Sequence, residues 1–253
     1  MLRKLNIRTI GEYIKVFGPA IVLASIGFVV AYQFVDPAPP RRITIATASP
    51  SGAYFAYGGA YSEILERDGI HLEVLPTAGS AENIKLLEEE SGGVDVALIA
   101  GGFSTLAQSD KIISLGSLYY EPFWIFHQTN LTLARLPDLK GLRVAVGEEG
   151  SGTKILAMQL LELNGITEKN TRILSYGSQE AATMLLQKKL DAAIFVTTHR
   201  SQYIQPLMKS RSVKLMGLER AKAYALQYHY FHVLEVPEGV LNFEANIPSR
   251  DIT

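Results

Sequence analysis

The sequence predicts an α/β fold of two similar lobes around a cleft, preceded by one N-terminal transmembrane helix. Three observations carry this: an internal repeat, alternating strand-like and helix-like segments within each copy, and a charge-free apolar run near the start. The repeat pairs the apolar segment 42–47 with 142–146, Ser51-Gly52 with Ser151-Gly152, Gly79-Ser80 with Gly177-Ser178, and Asp95-x-Ala97 with Asp191-x-Ala193. Its offsets are 100, 98 and 96 residues for the last three pairs, so the order of elements is kept while loops vary.

Taken in chain order, the segment 43–47 predicts a first strand. The turn-rich loop 48–52 opens a helix over 54–68, ended by Gly69. A strand over 71–76 follows, then the loop 77–80, with Ser80 as N-cap of a helix running to Glu90 and Asn83 on its first turn. A buried strand over 94–100 and the residues 101–104 close this unit. The segments 114–120 and 122–127 are expected to be extended and to carry the chain away. The second copy predicts strands over 142–146, 172–174 and 192–196 and helices over 152–164 and 179–188. Thr197 ends the last strand at the cleft end. Helices over 201–208 and 218–226 and a strand over 230–234 returning toward the first lobe complete the reading.

Ligands in open α/β sheets sit beyond the carboxyl ends of strands, where helix N-termini gather unpaired N–H groups. The loops at Ser51-Gly52, Gly79-Ser80, Ser151-Gly152 and Gly177-Ser178 each follow a strand and precede a helix, so four donor-rich helix starts are expected around one cleft. Such a cleft fits a small anionic solute.

Composition narrows the rest. The chain has 253 residues, 47% hydrophobic and 19% charged, enough for real cores. A formal net charge of −1 gives no basic footprint for nucleic acid. The absence of Cys removes disulfides and thiolate chemistry. The run 17–35 contains no charged side chain and is preceded by Arg3, Lys4, Arg8 and Lys15 against Glu12 alone, which predicts an N-in membrane anchor in the lipid bilayer. A cleaved signal peptide, with 29–31 (Val-Val-Ala) at the cleavage site, is the competing reading. The expected organisation is a cytoplasmic stretch 1–16, the span 17–35, a Pro-rich spacer 36–41, a first lobe 42–124, a second lobe 125–230, and a return segment 231–253.

Several motifs are weighed on their chemistry. Residues 147–154 have the look of a phosphate loop, but Thr153 precedes Lys154, so the Gly-Lys-Ser/Thr order is missing. A tight strand-to-helix turn accounts for them equally; functionally, Ser151, Gly152 and Thr153 present N–H and hydroxyl groups to a carboxylate, as do Ser49, Ser51 and Gly52. His229 and His232 on a strand would point to opposite faces, and no histidine has acidic company at ligand spacing, so neither metal nor cofactor is expected. No catalytic triad or nucleophile elbow is recognisable, and Glu121 is the one acid or base placed for catalysis, so an enzyme is not expected. Tyr119, Tyr120 and Glu121 form a polar aromatic cluster at the crossover; either they pack the hinge, or Glu121 points inward and accepts an ammonium group, as an amino acid ligand would require.

Residues 51–58 (Ser-Gly-Ala-Tyr-Phe-Ala-Tyr-Gly), 77–83 (Thr-Ala-Gly-Ser-Ala-Glu-Asn), 117–122 (Ser-Leu-Tyr-Tyr-Glu-Pro), 136–144 (Leu-Pro-Asp-Leu-Lys-Gly-Leu-Arg-Val) and 150–153 (Gly-Ser-Gly-Thr) occur in the order that resembles the TAXI-type solute-binding subunits of TRAP transporters. The resemblance spans about 42–236. It implies a type-II periplasmic-binding-protein fold that closes on a carboxylate or amino-acid solute and delivers it to membrane permease subunits driven by an ion gradient. It implies ligand contacts from Ser51, Gly52, Tyr54, Thr77, Ser80, Asn83, Tyr120, Glu121, Ser151, Gly152 and Thr153; Ser49, Gly79, Tyr119, Ser178 and Thr197 join them from the reading of the loops. The first loop is poorer in glycine than is usual in the family. Members of the family also continue further, so the tail 247–253 is expected to begin a strand of the first lobe in a chain truncated at Thr253. A ligand-sensing ectodomain and the binding protein of an ABC importer are the rival readings.

Overall fold

The computed structural model describes residues 7–33, 40–89, 93–103 and 111–253, and these divide into two units, one up to Pro40 and one from Arg41 onward. The expected spacer over 36–39, the helix end at Glu90 and the loop residue Ser104 lie outside the described residues.

The first unit is one helix, α1 (Ile7–Gln33), of 27 residues. At about 1.5 Å per residue it is roughly 40 Å long, more than the hydrocarbon core of a bilayer. Its stretch Lys15–Gln33 is apolar enough to cross a membrane. Phe17, Ile21, Leu23 and Phe28 all stand exposed on it. Pro19 lies inside the helix.

The second unit is built on two sheets. β1 (Arg42–Ala46), β2 (His71–Leu75) and β3 (Val96–Ala97) form a parallel sheet in the order β2-β1-β3. α2 (Ala53–Glu66) and α3 (Ser80–Glu88) make the crossovers. The same order returns in the second sheet, where β5 (Arg143–Ala145), β6 (Arg172–Leu174) and β7 (Ala192–Val196) lie as β6-β5-β7, joined by α4 (Gly152–Leu163) and α5 (Ser178–Leu186). The second sheet adds β4 (Phe123–Gln128), antiparallel between β7 and β8 (Val213–Leu215). α6 (Ile204–Lys209) and α7 (Ala221–Gln227) flank it.

The sequence repeat has a structural counterpart at its aspartates. Asp95 accepts the Thr44 N–H at 2.8 Å, and its own N–H donates to the Thr44 carbonyl. Asp191 does the same to Arg143, at 2.7 Å, and adds a two-pronged ion pair with the Arg143 guanidinium. In each half this acid fastens the strand after the second helix to the start of the first strand, fixing register where side-chain alternation alone would not.

The second sheet buries both faces. Trp124, Phe126, Phe195, Leu185 and Ile204 pack on one, and Ile125, Val144, Leu160, Leu161 and Ile194 on the other. β7 therefore reads as an unbroken apolar run, and β4 as one over 123–126 that ends in the buried polar pair His127 and Gln128, as expected of strands covered on both sides. A smaller cluster of Ile84, Ala100, Phe103 and Leu156 draws on α3 and α4 together and joins the two halves beside the cleft.

Residues 112–122 run without strand pairing, with Ile113, Leu115 and Leu118 exposed. Two expected strands differ. The strand expected over 94–100 pairs only at Val96–Ala97. Residues 230–234 form no strand; Tyr228, Tyr230 and Phe231 instead stack on one another, and the Tyr230 hydroxyl donates to Gln159 Oε1 at 2.6 Å. The tail does not reach the first sheet: Ile252 pairs with Val236, and the Leu218 N–H donates to the Thr253 carbonyl.

Candidate functional site

A cavity of about 70 Å³ opens where the carboxyl ends of both sheets meet. Four helix starts border it: Gly52, Ala53 and Tyr54 from α2, Gly79 and Ser80 from α3, Ser151, Gly152 and Thr153 from α4, and Ser178 from α5. Each start leaves N–H groups without an intrahelical acceptor. Only α4 is capped by a side chain, where Ser151 Oγ accepts the Lys154 N–H at 3.1 Å. The caps of α2, α3 and α5 are glycines, which offer no side chain. The α2 start, with neither a side-chain cap nor an acid in its first turn, turns its partial positive charge on the cavity, while α3 and α5 carry Glu82 and Glu180 in their first turns.

Two glycines set how closely the walls meet. Gly79 has φ of +122°, and a Cβ there would lie 3.7 Å from the Gly152 nitrogen. A Cβ on Gly152 would lie 3.1 Å from Ser80 Oγ and 3.6 Å from both Ala100 Cβ and Phe103 Cζ. The α3 and α4 starts thus meet with Gly79 against the Gly152 backbone, where positive φ rather than lack of space disfavours a side chain at Gly79, while a Cβ at Gly152 would press on Ser80 Oγ.

The far wall carries a carboxylate. Glu121, at the end of the crossover, accepts a hydrogen bond from the Tyr54 hydroxyl at 2.5 Å and a long one from the Tyr119 hydroxyl at 3.4 Å. Burial raises its pKa to about 7, against the opposing pull of those two donors. The same burial, with the charge of Glu121 next in size, pushes both phenols well above their ordinary value. The Tyr54–Glu121 bond ties the start of α2 to the crossover, so the first half of the chain and the link to the second meet in one hydrogen bond.

Of the residues read from the sequence, Ser49, Gly52, Tyr54, Gly79, Ser80, Glu121, Ser151, Gly152, Thr153, Ser178 and Thr197 border the cavity. The others stand elsewhere. Ser51 Oγ faces Ser49 Oγ at 3.4 Å. Thr77 Oγ1 has one proton for two acceptors, Asn83 Oδ1 at 2.6 Å and the Thr47 carbonyl at 3.1 Å. Asn83 is fully buried, and its Nδ2 spans the carbonyls of Thr47 and Leu98 at 2.7 and 2.8 Å, stitching α3 to β1 and the segment after β3. Tyr119 touches the site only through Glu121, with its ring against Tyr57. Tyr120 is 64% exposed and packs edge-on against His232. Ser80, expected as an N-cap, lies inside the helix; its Oγ instead accepts the Ala100 N–H at 2.9 Å.

Sequence reasoning missed Glu148, Tyr203 and Val196, which also border the cavity. The Glu148 carbonyl accepts the Ser151 hydroxyl at 2.7 Å, and its carboxylate turns toward the α5 start. Tyr203 is buried against Phe195 on the face of the second sheet. Its nearness to the site comes from the turn after β7, where Thr197 Oγ1 and Ser201 Oγ lie 2.5 Å apart. No group of three or more potential metal ligands occurs among the described residues.

Solved structures share this architecture. An ancestral arginine-binding protein bound to arginine superposes with a TM-score of 0.51 at 18% identity, over 70% of this chain and 79% of that one. The alkanesulfonate-binding protein SsuA from Xanthomonas axonopodis pv. citri, bound to MOPS, gives 0.50 at 17% identity over 77% and 70%. The substrate-binding protein of an amino acid ABC transporter gives 0.51 at 15% over 70% and 79%. At these identities the likeness establishes a solute-binding-protein fold. The sequence itself matches one family over residues 45–249, nearly the whole of the second unit, and by that match the chain belongs to the NMT1-like family.

Proposed function

We propose that this protein is the extracytoplasmic solute-binding subunit of a TRAP-type importer of the TAXI class, capturing a small carboxylate or amino-acid solute for uptake driven by an ion gradient. On this reading α1 anchors it in the cytoplasmic membrane with the N-terminus inside, and the domain beyond Asp36 faces the periplasm or exterior. Residues 42–124 and 125–230 act as lobes and 231–253 as a return segment. The observation that carries the proposal is the convergence of four helix starts, three with glycine caps, on one cavity. That arrangement offers several N–H donors to a carboxylate without a basic side chain. Its support for the TAXI class is the ordered set of motifs from Ser51 to Thr153.

Thermal unfolding of the full chain in detergent, with a panel of amino acids and carboxylates, tests the binding reading. A ligand at 100 times its dissociation constant adds about 2.7 kcal/mol to stability. If every compound leaves the midpoint unmoved, the reading fails.

Service to an ABC importer is a second reading, favoured by the likeness to the binding protein of an amino acid ABC transporter. Solute uptake in cells with the partner permease separates the two. Loss on collapse of the ion gradient supports the first; loss on ATP depletion with the gradient intact supports the second.

A further inference from the structure

Resting on the binding-protein reading, the lining of the cavity narrows its ligand. Among the described residues, the side chains that border it include two carboxylates, Glu121 and Glu148, and no Lys, Arg or His. Positive potential there comes only from backbone N–H groups, roughly half a charge per helix start. One of those starts already faces an acid: Glu148 Oε2 lies 3.5 Å from the position that a Cβ on Gly177 would occupy, at the head of α5. The α4 start shares its N–H groups with Ser151 Oγ. The α3 start carries Glu82 in its first turn, where Oε2 accepts the Ala78 N–H at 2.6 Å. The α2 start, which has no acid in its first turn, remains to hold one carboxylate. A second ligand carboxylate would meet Glu121 or Glu148 with no cation between them, which is strongly unfavourable at low dielectric.

The groups that face Glu121 and its donors are Tyr54 from α2, Tyr119 from the crossover, Tyr57 on α2 against Tyr119, and Tyr203 after β7. All are neutral phenols. Nothing among them balances an ionised Glu121.

We propose that the cavity takes a small zwitterion, with a protonated amine on Glu121 and a single carboxylate at the α2 helix start, and that it rejects dicarboxylates. Binding an ammonium ionises Glu121, whose pKa is otherwise raised by burial, so binding at neutral pH releases a proton and tightens as pH rises.

Titration calorimetry on the full chain in detergent at about pH 8, with alanine, propionate and succinate, tests this. Alanine is expected to bind, with propionate and succinate weaker by about 30-fold or more, the worth of one charge-assisted hydrogen bond. Glu121→Gln, with its fold checked by circular dichroism, should bring alanine and propionate to within about threefold of each other. Independently of any variant, the wild-type affinity for alanine should rise by up to about tenfold per pH unit from pH 5.5 to 7. Propionate or succinate binding as tightly as alanine, an unchanged ratio in the variant, or a flat pH profile each overturn the inference. A succinate-selective protein overturns it while leaving the binding-protein reading intact; a protein that binds nothing in the panel overturns both.

Discussion

Glu121 ties the stability of the fold to pH through one residue that borders the cavity. Its pKa is raised to about 7 in the folded protein by burial, so folding favours its protonated form. The contribution to stability is fully present below the unfolded value and is lost as pH rises through about 7. We expect Glu121→Gln, which keeps an acceptor for Tyr54, to flatten the change in unfolding free energy between pH 5 and 8 by on the order of 2 kcal/mol. Denaturant titrations at the two pH values measure it; equal slopes in both proteins would refute the assignment. Asp191 has the opposite sign. The Arg143 hydrogen bonds hold its carboxylate below the usual range, so its contribution is present above the unfolded pKa and disappears as pH falls through the folded one. Asp191→Ala strands the Arg143 N–H and guanidinium together and should cost roughly 1–3 kcal/mol at neutral pH, read from the same titrations.

At the scale of elements, the starts of α2, α3 and α4 matter more than their interiors. Ser151→Ala removes the one side-chain cap and is expected to destabilise by about 1 kcal/mol. Gly152→Ala adds a methyl group 3.1 Å from Ser80 Oγ, where the α3 and α4 starts meet. Ligand affinity should drop by about tenfold there while helix propensity offsets the loss of stability. If affinity is unchanged, the contact between α3 and α4 is not part of the binding geometry. Gly58, in the middle of α2, is the converse: a Cβ would come within 2.9 Å of Thr47 Cγ2 and Val74 Cγ1, so Gly58→Ala should destabilise by roughly 1–3 kcal/mol despite better helix propensity. Elements of this kind were largely legible in the sequence. Glycine and serine after an apolar run mark strand-to-helix turns because only small residues allow the backbone to turn there and leave its N–H groups open. The segment 230–234 is no strand because aromatic composition speaks for packing as well as for strand pairing, and the aromatic cluster around Tyr230 packs without a ladder.

For the whole molecule, the fate of α1, anchor or cleaved signal, decides where the domain from Arg41 onward works. Cationic flanks with Arg3, Lys4, Arg8 and Lys15 predict that the second unit is outside. Protease added to intact spheroplasts should digest the domain carried by Arg41–Thr253, and a membrane fraction washed at high salt should retain the protein at full length. Release into the soluble fraction as a chain shorter by about 30 residues would favour cleavage at 29–31 over an anchor. The site legible in the sequence was the set of repeated small-residue loops. Glu148 and Tyr203 were not, since no motif singles them out: one turns back from the β5–α4 loop to the head of α5, the other arrives from the turn after β7. Asn83 and Thr77 show the reverse error, in which polar residues inside a binding motif are spent on holding α3 to the backbone of β1.

The sequence by itself determined the fold class, the two-fold repetition, the apolar helix and the placing of helix starts at strand ends, because these follow from local periodicity and from the steric needs of turns. Tertiary structure decided which polar side chains reach the cavity, how close the two halves come at Gly79 and Gly152, and that Glu121 is buried beneath Tyr54. Those outcomes depend on distances between residues far apart in the chain and on the loss of water around them, neither of which any short stretch of sequence encodes.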